Sequence, residues 1–281
     1  MDKAKLMNGV KKYTMIIVLV LVTLFFTWQT GGKILLPQNV SNLISQNAYV
    51  FVLATGMLLC ILTGGNIDLS VGSVVCFAGA VGATLMESKG MNPWAASIMM
   101  LLIGLLIGAW QAFWIAYVHV PPFITTLSGM LVFRGLSNVV LNGLTVSLTN
   151  AGFVKVFGGG AECYIPDFLG GNGFNITCML VGVIACVIYV LVQIKNRMNR
   201  AKKGYEMEAL SAMVIRTVII CAVILVFMFR LAQYKGIPTA LVWVALVVLI
   251  YGYITSKTTT GRYFYAVGGN EKATKLSGIN T

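Results

Sequence analysis

Charge is scarce in this chain. Lys, Arg, Asp and Glu make up 10% of its 281 residues, against about 25% in soluble domains, so an ordinary soluble fold is excluded. Histidine is rarer still, with His119 the single example, which argues against a histidine-based metal site. The six cysteines have no metal-type spacing. Cys60, Cys76, Cys178, Cys186 and Cys221 lie inside apolar runs, where cysteine behaves as a small hydrophobe. Cys163 stands alone in a polar loop, so no disulfide framework is implied. Glycine clusters occur at Gly158 to Gly160 and at Gly170-Gly171, but no G-x-x-x-x-G-K-S/T follows any strand or turn, so the chain carries no nucleotide loop of its own.

What fills the chain instead is apolar: 58% of its residues. Uncharged stretches near the ~20 residues a membrane helix needs recur along it. They predict an all-α polytopic bundle in a single transmembrane domain over residues 1–281, with spans at about 13–30, 48–63, 69–87, 93–118, 122–141, 175–194, 212–234 and 238–255. The first run is too long and lacks the small-residue cleavage site of a signal peptide, so it reads as an uncleaved span. Between it and the second, Pro37, Val40, Leu43 and Ile44 suggest a short interfacial segment. Small residues mark close helix packing in the third span (Gly72, Ala78, Gly79, Ala80, Gly82, Ala83) and in the fourth (Gly104, Gly108, Ala112, Ala116).

Two places break the apolar pattern. Gly64 to Ser73 reads G-G-N-I-D-L-S-V-G-S and places Asp68 between apolar runs. A carboxylate at the bilayer centre costs roughly 2.5–3.5 kcal/mol, so it needs compensation. In one reading Gly64 and Gly65 end one helix and Asp68 caps the next; in another, compatible with the first, a discontinuous helix lines a solute path with Asn66, Asp68 and Ser70 on it. The second place is the fifth span, where Arg134, Asn138 and Asn142 follow at four-residue spacing with Ser137 beside them. That spacing gives the helix a polar face, which either bonds a polar solute or leaves Arg134 to snorkel or pair locally. Arg216 and Arg230, 14 residues apart on the seventh span, are set to snorkel to opposite interfaces.

The formal charge of +12 would suggest nucleic acid in a soluble protein. Its distribution says otherwise. With the amino terminus inside, residues 1–12, 195–211 and 256–281 hold 13 basic residues, and the opposite side holds Lys33, Lys89, Lys155 and Lys235. This follows the positive-inside rule, puts both termini in the cytoplasm, and leaves membrane lipid rather than nucleic acid as the surrounding partner.

The string at Gly64 to Ser73 resembles the G-G-I-D-L-S-V-G-S signature of the permeases of bacterial ATP-driven sugar importers, with Asn66 inserted. The run from Thr125 to Leu136, T-T-L-S-G-M-L-V-F-R-G-L, is similar to a second motif of that group. Gly261 to Asn280 resembles the loop that couples such permeases to their ATPase, with Lys272-Ala273-Thr274 and Gly278 at the motif spacing. The likeness is strongest to the multiple-monosaccharide and xylose permeases. It implies a transport subunit and not an enzyme, working as a dimeric pore in the bacterial cytoplasmic membrane. A cytoplasmic ATPase subunit would use the ATP, this chain would bind no cofactor, and a sugar-binding protein would deliver a monosaccharide from outside. It further implies that residues 256–281 form the coupling segment, with Gly268, Gly269, Asn270, Glu271, Lys272, Ala273, Thr274 and Gly278 at the ATPase. Members of the group continue past this loop with further spans, so a truncated chain is expected. The alternative, from a different class, is an ion-coupled secondary transporter with Asp68 as the ion or proton ligand at a broken helix.

Overall fold

A computed structural model describes residues 3–158, 160, 162–205 and 209–281, with side chains described from Tyr13 onward. Gly159 and the amino-terminal lysine side chains therefore lie outside the described residues. The elements are α1 (Lys3–Gln29), a short 3-10 turn (Lys33–Leu35), α2 (Pro37–Leu62), α3 (Val71–Glu87), α4 (Pro93–Ala116), α5 (Pro122–Leu141), α6 (Ala151–Phe157), α7 (Ile176–Lys202), α8 (Leu210–Ala232), α9 (Thr239–Lys257), α10 (Thr259–Gly269) and α11 (Glu271–Leu276). Among the described residues there is no strand, only the isolated bridge of Tyr164 with Pro238. Six helices (α2, α4, α5, α7, α8 and α9) are long and apolar enough to cross a membrane, and Tyr13–Gln29 and Val71–Glu87 are shorter apolar helices. The chain is an all-α, multi-pass membrane protein.

Proline and side-chain caps set the helix starts. Pro37, Pro93 and Pro122 each open a helix, where the missing N–H is no loss. Asn92, Asn150, Asn175, Thr258 and Asn270 each accept a backbone N–H from the first turn that follows. The interfacial segment expected before the second span is instead continuous with α2, because nothing between Gln38 and Leu62 interrupts a helix once Pro37 has started it.

The chain divides into two compact units. One comprises residues 1–45 and 164–238, and the other residues 46–163 and 239–281. In the first, α7 packs on α8 through Cys178, Gly182, Met228, Leu231 and Ala232, all buried. A Cβ on Gly182 would stand 2.9 Å from that of Met228, so the glycine sets the helix spacing. Asp167 lies before α7 and accepts from Thr177 Oγ1 (2.6 Å), Gly171 N (2.8 Å), and the amides of Leu169, Ile176 and Thr177 (each 3.1 Å). Those donors, the Thr177 hydroxyl first, hold its carboxyl well below the ordinary 3.8.

In the second unit α3 is sandwiched by α4 and α5. Ala78, Ala80, Gly82 and Met86 of α3 are buried, and a Cβ on Gly82 would collide with Met100 of α4. Phe77 meets Phe133 of α5 at 5.7 Å between ring centres. Gly72 and Gly79 of the expected stripe are exposed, as are Gly108, Ala112 and Ala116. α4 turns Ala96, Ile107 and Gln111 inward instead, since bulkier Ile107 and Gln111 reach across to fill what small residues would leave open.

Candidate functional site

The site is built around the interruption between α2 and α3. Gly64 (φ 118°) and Gly65 (φ 80°) carry the chain off the end of α2 in a left-handed conformation that side chains resist. The Gly65 amide donates to Ile61 O at 2.8 Å, closing the helix. Asn66 Nδ2 then reaches back to Thr63 O and Oγ1, both at 3.4 Å. Asp68 Oδ1 accepts from the backbone N of Ser70 at 2.8 Å and from its hydroxyl at 2.6 Å. Asp68 thus satisfies a donor two residues on, as a cap would, but α3 proper starts one residue later, and Ser70 at its N-cap makes no side-chain cap bond. The compensation for the carboxylate is hydrogen bonding, and no cation pairs with it among the described residues.

Two neighbouring helices close on this turn. Ser70 is fully buried, and its Oγ lies 3.0 Å from Gln111 Oε1 of α4. Thr126 Oγ1 of α5 reaches Ile67 O at 3.3 Å besides bonding Pro122 O at 2.8 Å. Gln111 is 5% exposed and its Nε2 has no partner. The Ser70 hydroxyl has a single proton, which the shorter contact assigns to Asp68. Turning the Gln111 amide over lets Nε2 donate to Ser70 Oγ, and Oε1 is then the atom without a partner. In either orientation the amide lies against the Cα of Gly129, where a Cβ would overlap it.

The same end of this unit holds α10 and α11. A Cβ on Gly268 would collide with Leu62 O, and Gly64 N lies close by, so α10 rests backbone to backbone on the last turn of α2. Asn270 Oδ1 accepts from Ala273 N at 3.0 Å, starting α11. Buried Thr274 donates its hydroxyl to Ala266 O or Asn270 O, both at 2.8 Å, folding α11 against α10. Gly269, Glu271, Lys272, Ala273 and Gly278 are exposed, leaving α11 a free polar flank.

The sequence-derived candidates do not form one cluster. Asn66, Asp68 and Ser70 gather near the start of α5, whereas Asn142 is its C-cap, with φ 51°, at the far end. The 16 residues from Thr126 to Asn142 span about 24 Å of helix. Arg134 and Asn138 are exposed on α5, and Ser137 points the other way, buried against α3 with the Cys76 thiol donating to its Oγ at 3.6 Å. Asn142 has left the helix, so the face expected to hold Arg134, Asn138 and Asn142 ends at Asn138. Gln111 was missed by sequence reasoning: one amide in a long apolar run carries no motif, and its lone polarity was the available signal. Asp167 was missed because its donors are loop amides. Among the described residues no group of three or more His, Cys, Asp or Glu could hold a metal ion.

Residues 39–209 and 151–281 match the family described as branched-chain amino acid transport system / permease component. The chain is 37% identical over 268 residues to the xylose transport system permease protein of Escherichia coli strain K12, covering 95% of this chain and 65% of the relative. It is 35% identical over 280 residues to the protein of that name from Haemophilus influenzae, covering 100% and 71%. To the ribose import permease protein of Escherichia coli strain K12 it is 30% identical over 242 residues, covering 86% and 53%. No solved structure matches. The chain spans 65% of the length of the first of these relatives, and it belongs to the family of branched-chain amino acid transport system permease components.

Proposed function

We propose that the chain is the permease part of an ATP-driven importer that passes a monosaccharide, xylose first among those to test, across the bacterial cytoplasmic membrane. The relatives' names, xylose and ribose permeases, support the substrate class. The observation that carries the reading is the contact of Gly268 with Leu62, which seats the segment resembling the ATPase-coupling loop directly on the helix end that leads into the Asp68 turn. The basic residues favour a cytoplasmic position for both termini and for that segment. A separate ATPase docks there and hydrolyses ATP, a binding protein delivers sugar at the opposite face, and a second permease copy completes the pore.

On this reading Asn66 and Asp68 stand at the inner end of the path with Ser70 bonding Asp68 from behind, and Arg134 and Asn138 follow α5 outward, while buried Ser137 and the C-cap Asn142 lie off that face. Carboxylate, amide and hydroxyl groups are the partners that sugar hydroxyls require. Gly269, Glu271, Lys272, Ala273 and Gly278 form the exposed ATPase contact, and Gly268, Asn270 and Thr274 hold the segment in shape behind it. The test is labelled-xylose uptake by proteoliposomes holding the permease with its ATPase and binding protein. Uptake should require internal ATP and survive an ionophore. Uptake that persists without ATP and collapses with the ionophore would instead establish ion coupling at Asp68.

A further inference from the structure

The unit formed by residues 1–45 and 164–238 holds a groove that the transport reading does not use. It has a volume of about 460 Å³ and is lined by Leu35, Val40, Ala222, Val223, Val226, Phe227 and Arg230. Every wall but one is aliphatic or aromatic, and the exception is a guanidinium that is permanently charged. No acidic residue lines the groove to neutralise it.

Position along α8 explains how such a groove is used. Arg230 lies two residues before Ala232, the last of the helix, so its head reaches the level where membrane and water meet. From Arg230 to Ala222 the groove follows α8 for eight residues, about 12 Å. That stays within the ~15 Å of one leaflet's hydrocarbon. Val223 and Val226 are 64% and 62% exposed, so the groove opens sideways rather than into a sealed core. An apolar trough running inward from a fixed cation at the interface complements one kind of molecule: an amphiphile with an anionic head and an acyl tail. A neutral solute would leave the guanidinium unpaired, and a soluble anion would leave the trough bare.

We infer that this groove is a binding site for an anionic membrane phospholipid, whose phosphate pairs with Arg230 while an acyl chain lies along Val226, Val223 and Ala222 against Leu35 and Val40. Guanidinium offers two parallel N–H donors to phosphate oxygens, which favours phosphatidylglycerol over a headgroup that carries its own cation. The site is independent of transport and needs no partner protein.

Native mass spectrometry of the purified chain, with phosphatidylglycerol or phosphatidylcholine of equal chain length added, tests it. Phosphatidylglycerol should be retained preferentially, Arg230→Gln should weaken its retention about tenfold, the scale of one charged hydrogen bond, and Arg230→Lys, which keeps the charge but not the paired donors, should fall between the unaltered chain and Arg230→Gln. Val223→Trp, which fills the trough without touching charge, should remove binding of both lipids. Arg216→Gln, at the other end of α8, should change nothing. Equal retention of the two lipids, unchanged retention in Arg230→Gln, or a dimer that sheds lipid on forming would each overturn the site, the last by making the groove an interface between copies. Circular dichroism of each variant separates lost binding from lost fold.

Discussion

The two units bury different things between their helices. Where α7 meets α8, the buried contacts are Cys178, Gly182, Cys186, Met228, Leu231 and Ala232, and the polar group involved is Asn175, spent on capping α7. Where α3 meets α4 and α5, the buried set includes Ser70, Gln111, Thr125, Thr126 and Ser137. Lipid gives helices no hydrophobic reason to associate, so both interfaces depend on close fit. Across the first, the thiols of Cys178 and Cys186 donate to the backbone carbonyls of Met228 (3.4 Å) and Cys221 (3.7 Å), whereas the second adds hydrogen bonds between side chains, Ser70 with Gln111 and Cys76 with Ser137. Only the second leaves a buried side-chain atom without a partner among the described residues, at Gln111, and an unpaired polar atom in a low-dielectric interior is costly to keep. α10 is seated on the end of α2 that leads into the Asp68 turn.

The comparison can be broken most sharply at Gly268. Gly268→Ala drives a Cβ into the Leu62 carbonyl, which is backbone and cannot swing aside, so a loss of about 1–3 kcal/mol is expected. Gly269→Ala, with open space at its Cβ, should be neutral. Thermal unfolding in detergent, followed by tryptophan fluorescence, checks both. Equal effects would mean that α10 does not bear on α2.

Next in size is Asp68→Ala, which strips the acceptor from the Ser70 amide and from a fully buried hydroxyl and should cost about 1–2 kcal/mol in the same assay. Asp68→Asn keeps an acceptor and should cost less than half as much. Damage of equal size would show that the charge itself is required, which favours an ion-binding role. Gln111→Leu should be nearly neutral to stability, since it removes one bond and one unpaired buried atom together. Its effect should fall on sugar uptake, whereas a comparable change across the apolar interface should affect stability alone.

Gly182→Ala supplies that counterpart. The new methyl meets Met228 Cβ and Cγ at 2.9 and 3.0 Å, and helix separation should cost about 1 kcal/mol with uptake per folded molecule unchanged. The smallest effect belongs to Asp167, whose contribution is present at neutral pH and is lost only in acid. Its folded value is depressed, so its contribution is complete above the ordinary 3.8 and is lost as pH falls below that toward the folded value. The unfolding midpoint should therefore drop below pH 3.8, and Asp167→Asn should remove that part of the drop, leaving the neutral-pH fold with fewer bonds at the start of α7.

Much of this was written in the linear sequence because its causes are local. Uncharged runs fix the helices of a membrane chain, since each must satisfy its own backbone in lipid. Gly64-Gly65 followed by Asp68 fixes the interruption, because a left-handed helix end and a short-range acceptor need only neighbours in the chain. Pro122 fixes the start of α5. Other features required knowing which helix stands beside which. Ser137 turned out to bury itself against α3 while Arg134 and Asn138 did not, a choice that periodicity cannot make for a helix apolar nearly all round. Gln111 gained its role from Ser70, 41 residues away in sequence, and Gly268 from Leu62. The groove at Arg230 exists because Leu35 and Val40 face α8. Sequence governs contacts that close within a few residues, where the chain's own geometry leaves few options. The pairing of distant helices depends on how whole surfaces fit, and only the folded chain decides that.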